Sequence, residues 1–201
     1  IMDVVPWMLP YYEASGIQFE IEDNRDYMDY TFTPEQFLAG MDMQDDRYRY
    51  NYFKRRFAYE TEEITPFHRE EIREFMEREW CGEKTCEECH CGCLLRGIDN
   101  LVPVFDKIRI NGILVRVEGK MAGLCIVSCR NGLGVYQYKN AVNRIKGINE
   151  YLLRESFERY LQSADTINYT EDMGVENLRY YKEHMAPAHT LLSKLTLTER
   201  G

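Results

Sequence analysis

From Lys107 onward the apolar residues take up a period of two and keep it through three consecutive runs, 113–117, 121–130 and 133–142. Only Glu118-Gly119 and Asn131-Gly132 separate the runs. Alternation of this kind turns one side of each run toward a core, and a two-residue reversal ending in glycine supplies the positive φ that a tight hairpin needs. The stretch therefore predicts a three-stranded antiparallel meander and excludes an all-helical chain.

Around the meander the period is helical. Thr33 and Pro34 open a helix, with Glu35 in its first turn, that runs to about Gly40. A basic helix is expected over 47–57, an extended piece over 58–64, and a helix over 67–80 introduced by Thr65-Pro66. Further helices are expected over 94–105 and 147–161, then a strand over 164–169. Val175, Leu178, Tyr181 and Met185 form the buried stripe of one more helix, which Pro187 stops. Strands are also expected at 17–22 and 190–197, with an apolar piece at 27–32. This order predicts an α/β (α+β) fold, a mixed and largely antiparallel sheet flanked by helices.

The 201 residues carry a formal net charge of -9, which argues against nonspecific binding to duplex DNA or to an anionic membrane, since both need a positive field. No run of eighteen apolar residues is present, and the opening IMDVVPWMLP lacks the basic flank of a signal peptide. The expectation is a cytoplasmic protein with no transmembrane segment. In that compartment the seven cysteines read as free thiols or metal ligands rather than disulfides.

The stretch TINYTEDMGVENLRYYKEHMAP, residues 166–187, joins a strand, a carboxylate-rich turn and a helix with Arg179 and Lys182 three apart on one face. Two like charges so placed need an anion, which Glu171 and Asp172 or a ligand could supply. Asn168, Glu171, Asp172, Gly174, Leu178, Arg179, Lys182 and Pro187 fall at the spacing N-x-x-E-D-x-G-x-x-x-L-R-x-x-K-x-x-x-x-P. That pattern resembles the C-terminal domain family of phosphatidylglycerol lysyltransferase.

The resemblance implies a GNAT-like fold and transfer of an aminoacyl group from aminoacyl-tRNA to a lipid headgroup, or acyl transfer from acyl-coenzyme A to a small-molecule acceptor. On that basis Glu171 or Asp172 is the expected base or amine binder, and Asn168, Arg179, Lys182 and Lys139 are expected to bind substrate. The segment RIKGIN matches the junction that cradles the pyrophosphate of coenzyme A in such enzymes at Arg144 and Gly147, with Asn149 in place of the usual small residue. Residues 1–58 would be the tail of an earlier GNAT-like half and 59–201 the C-terminal GNAT-like domain. Tyr138, Tyr169 and Thr170 stand where relatives usually carry Glu, Arg and a carboxylate. A binding module that has kept the fold and lost the reaction is therefore the alternative.

Two other clusters stand apart. In 47–57, Arg47, Arg49, Lys54, Arg55 and Arg56 interleave with aromatics, a pattern that suits either unpaired nucleic acid such as tRNA or a solvated amphipathic surface; relatives carry a basic helix here with an asparagine and a phenylalanine, matched by Asn51 and Phe57. Cys81, Cys86, Cys89, Cys91 and Cys93, with His90, concentrate in one interhelical segment. Cys86 and Cys89 have zinc-ligand spacing, and Cys81, Cys86 and Cys89 also fit an iron-sulfur loop short of its fourth ligand. A structural zinc, a cluster and free thiols all remain open from these spacings.

Overall fold

The computed structural model describes residues 2–4, 6–16, 18–81, 94–108, 110–185, 189–193 and 195–199. In chain order the first elements are β1 (Met2–Val4), α1 (Leu9–Glu13), β2 (Phe19–Asp23), β3 (Asp29–Phe32), α2 (Pro34–Met41) and α3 (Gln44–Arg56). The middle holds β4 (Tyr59–Glu63), α4 (Arg69–Met76), α5 (Leu94–Leu101), β5 (Asn111–Val117), β6 (Lys120–Arg130), β7 (Leu133–Ala141) and α6 (Ile148–Ser156). The last are β8 (Thr166–Asn168), α7 (Glu176–Met185), β9 (Thr190–Leu192) and β10 (Leu195–Glu199). They divide into two compact units, one made of 1–40 with 166–201 and the other of 41–165.

In the 41–165 unit the expected meander forms, with β4 added antiparallel to its first strand. Both reversals are of the doubly left-handed kind, with φ of 53° and 75° at Glu118 and Gly119 and 51° and 78° at Asn131 and Gly132. Every residue of β6 from Met121 to Val127 is buried, so helices cover both faces of the strand. Gly123 lies against Leu152 of α6 on one face. On the other, Met76 of α4 meets Tyr138 and Asn140 of β7.

The strict alternation read in β7 breaks between these contacts. Register shifts between Ile126 and Val127, so that Tyr138 pairs with Ile126 but Tyr136 with Val127. Gln137 is the extra residue. Tyr136 and Tyr138, two apart, consequently point to opposite helices, Tyr136 donating to the Leu153 carbonyl of α6 and Tyr138 to the Met76 sulfur. The helix expected over 147–161 is α6 followed by a wider π-helical turn, Phe157–Leu161.

The other unit takes strands from both chain ends. β3 lies between β8 and β9, and β10 lies between β1 and β2, all antiparallel. The single strand expected at 190–197 is thus two, because its halves pair with different partners. α2 starts as expected, with a reciprocal cap in which Thr33 N–H donates to Gln36 Oε1 and Gln36 N–H to Thr33 Oγ1. Gly40 closes it where a Cβ would come 2.0 Å from the Met185 carbonyl oxygen, so α2 and α7 meet at a glycine.

The two compact units interleave along the chain. The strand pairings are the reason: β10 completes a sheet with the first strands of the chain, so residues 1–40 and 166–201 fold together. No helix among the described residues is long and apolar enough to cross a membrane.

Candidate functional site

The turn after β8 is held by its own residues. Asn168 Oδ1 accepts the Thr170 N–H at 2.7 Å, and its amide donates to Asp29 Oδ2 at 2.8 Å. Thr170, Met173 and Gly174 all take positive φ, at 56°, 54° and 72°, which folds the segment back on itself. Lys182 reaches from α7 into the turn and donates to the carbonyls of Tyr169 at 2.6 Å, Glu171 at 2.7 Å and Thr170 at 3.2 Å. It is 3% exposed and lies over the Tyr169 ring, 4.7 Å from its centroid. Its ammonium is thus engaged in holding a strained backbone together.

Asp172 is fully buried and hydrogen-bonded on both oxygens. Arg179 grips it with two parallel bonds, Nε to Oδ2 and Nη2 to Oδ1, each 2.9 Å. Arg25 Nη1 adds a contact to Oδ2 at 3.1 Å, the Tyr30 hydroxyl donates to Oδ2 at 2.7 Å, and Gly174 N–H donates to Oδ1 at 2.9 Å. Burial alone would push the Asp172 carboxyl up, but the bonds from Arg179, Tyr30 and Gly174 together hold it well below the usual carboxylate range. In return, the bonds to Asp172 and then Asp26 raise the Arg179 guanidinium further.

Both arginines stay a third exposed, with 32% of each side chain accessible. Their outer edges meet partly exposed carboxylates, Arg179 bonding Asp26 at 2.5 Å and Arg25 bonding Glu183 at 3.1 Å. The result is two oriented guanidiniums, anchored on a buried carboxylate and paired at the surface with Asp26 and Glu183. Of the expected residues this unit brings together Asn168, Glu171, Asp172, Arg179 and Lys182.

The rest of the expected set lies in the 41–165 unit. Lys139 Nζ donates to Asn149 Oδ1 at 3.2 Å. Arg144 is 77% exposed, with Nη1 3.4 Å from Glu79 Oε2. Gly147 precedes α6 with φ +88°, and a Cβ there would lie 2.1 Å from the Arg49 carbonyl oxygen. Close packing of α3 on α6 therefore accounts for this glycine. Glu150 sits in the first turn of α6, paired with Arg49 at 3.2 Å, and burial followed by the Glu150 carboxylate raises the nearby Asp46 carboxyl. Two carboxylates thus sit at the helix start that the sequence pattern offered to a pyrophosphate.

Cys86, Cys89, Cys91 and Cys93 lie outside the described residues, and Cys81 ends the described helical turn before them. Among the described residues no His, Cys, Asp or Glu group could hold a metal ion. Cys125 is buried between β6 and α6, and burial pushes its thiol up to about 11.

The model of the family described as phosphatidylglycerol lysyltransferase, C-terminal, matches residues 1–193. The chain belongs to this family. Among solved structures, a conserved protein of unknown function from Bacteroides thetaiotaomicron is similar over 98% of this chain and 68% of its own, with a TM-score of 0.78 at 24% identity. L-PGS from Bacillus licheniformis is similar over 99% and 67%, with a TM-score of 0.67 at 15% identity. A tandem GNAT protein from the clavulanic acid biosynthesis pathway matches over 98% and 60% at a TM-score of 0.52 and 9% identity. At these identities the likeness is one of fold, and the fold is GNAT-like. No curated protein matches the sequence.

Within this lysyltransferase-family domain, sequence reasoning missed Arg25, Asp26, Tyr30 and Glu183. Arg25 and Tyr30 are separated from Asp172 by 147 and 142 positions, so no local spacing ties them to it. The available signal was physical: a carboxylate destined for burial beside a lone arginine needs further donors. Asn24 gives a second clue, because its side chain accepts the Asp26 N–H and so fixes the turn that presents Arg25.

Proposed function

We propose that this domain transfers an acyl or aminoacyl group from an ester or thioester donor to an acceptor that carries an anionic group, as a lipid headgroup does. The observation that supports this reading is the anchoring of Arg25 and Arg179 on one buried carboxylate, because rigid guanidinium forks are suited to phosphate or carboxylate recognition. The acceptor amine or hydroxyl attacks the donor carbonyl, its proton passes to a base, and the carbonyl carbon's bond to the donor oxygen or sulfur then breaks. Glu171 is the proposed base. Asp172 is too weakly basic for that part and serves as a positioning residue, as do Asn168 and Lys182. The proposed donor is aminoacyl-tRNA or acyl-coenzyme A.

The test is a pair of parallel assays, charged tRNA with phosphatidylglycerol vesicles and acetyl-coenzyme A with a panel of amines. Product is expected in one of them. Arg179→Lys keeps the charge but not the fork and is expected to lower the rate by about tenfold or more. Folded protein that yields no product in either assay would overturn the reading. A second reading, a binding module without turnover, is favoured by the full engagement of Asp172 and Lys182 inside the turn. It predicts saturable calorimetric binding of tRNA, coenzyme A or a short anionic lipid with no product.

A further inference from the structure

The 41–165 unit contains a cavity that the transfer reading does not use, between the end of β4 and the segment leading into β5. Its volume is about 180 Å³ and it is partly open to solvent. The buried wall is Ile64 and Phe105, only 5% and 6% exposed. They close over Gly112, where a Cβ would come 2.8 Å from Ile64 Cδ1 and 3.2 Å from Phe105 Cζ. A side chain at that position would displace both walls.

The mouth has the opposite character. Glu63 and Asp106 are exposed carboxylates, and the Tyr160 hydroxyl donates to Glu63 Oε1 at 3.1 Å, which fixes the Tyr160 ring beside the acid. No Lys, Arg or His lines the cavity among the described residues. Two carboxylates repel an anion. A metal ion would find too few ligands, since no group of three His, Cys, Asp or Glu converges among the described residues. An apolar wall with two aromatic rings beneath acidic oxygens instead suits an organic cation, whose stem packs on Ile64 and Ile110 while its charge faces the rings and carboxylates.

We infer that this cavity binds a primary alkylammonium, its stem against Ile64 and Ile110 and its ammonium at the Glu63 and Asp106 carboxylates. This site is independent of the arginine network and stands whatever group the domain transfers. The probe is n-pentylammonium, titrated into the intact chain with isoleucine δ1 methyls observed by NMR, and n-pentanol is its neutral counterpart. Saturable shifts at the Ile64 and Ile110 methyls are expected, with n-pentanol weaker by about tenfold or more, the loss expected for hydrogen bonds to charged partners. A Glu63→Gln, Asp106→Asn variant whose methyl spectrum remains folded should bind n-pentylammonium with a similar loss. Equal responses to the amine and the alcohol, shifts that fail to saturate, or shifts centred on other isoleucines would each overturn the assignment. The amine-versus-alcohol comparison uses only the unaltered protein, so a variant that fails to fold leaves the test intact.

Discussion

A carboxylate with no access to water, in contact with two guanidiniums, a phenol and a backbone amide, titrates differently in the folded and unfolded chain, and Asp172 is in that position. Its folded pKa lies below the unfolded value of about 3.9. A depressed carboxyl contributes stability that is complete above the unfolded pKa and is lost as pH falls through the folded one. Acid unfolding of the wild type should therefore steepen below about pH 4. Asp172→Asn is expected to flatten that limb relative to wild type and to cost about 3 kcal/mol at neutral pH, the low end for breaking a buried pair because both arginines are partly solvated. Urea unfolding of both proteins from pH 2.5 to 7 measures it. Parallel acid limbs for the two would show that Asp172 is not the group responsible. Lys182 acts differently at the same scale: its bonds go to three successive carbonyls, so it sets the turn's shape rather than its charge.

At the scale of elements, glycines separate packing from conformation. Gly147 and Gly119 both have positive φ, +88° and +75°. Only Gly147 faces an obstacle, the Arg49 backbone of α3, whereas nothing lies within 4 Å of a Cβ at Gly119. Gly119→Ala should cost about 1 kcal/mol from the left-handed backbone alone. Gly147→Ala should cost about 3 kcal/mol, because α3 must also move off α6. Chemical denaturation of the two variants gives the comparison, and equal losses would mean that the α3–α6 approach can relax freely. The bulge at Gln137 belongs here too. It lets one strand send neighbouring tyrosines to helices on opposite faces, which a regular strand cannot do.

For the whole molecule the decisive feature is that one compact unit is built from both chain ends. β10 is the middle strand between β1 and β2, so neither of those has another partner in its three-stranded sheet. Deleting residues 195–201 should abolish amide protection in β1 and β2 while the amides of β5 and β6, in the 41–165 unit, keep theirs. Hydrogen exchange followed by mass spectrometry reads this directly. Equal loss of protection in β5 and β6 would show that the two units do not unfold separately.

The meander, its two turns, the basic helix and the helix from Glu176 were all legible in the sequence, because each rests on short-range rules: an alternation, a two-residue reversal, a helical stripe stopped by proline. The motif around Asn168, Asp172, Arg179 and Lys182 was legible for the same reason, since all of it falls within one strand, turn and helix. The surroundings of those residues were decided by residues far away in the chain. Arg25 and Tyr30 bond the buried Asp172 carboxylate, and three backbone carbonyls engage Lys182. The separate pairing of β9 and β10, the bulge in β7 and the division into two compact units were likewise invisible, since each depends on which strand lies alongside. Periodicity records which face of an element is buried. It carries no information about what that face is buried against, and charge balance in a low-dielectric interior is settled only by that partner.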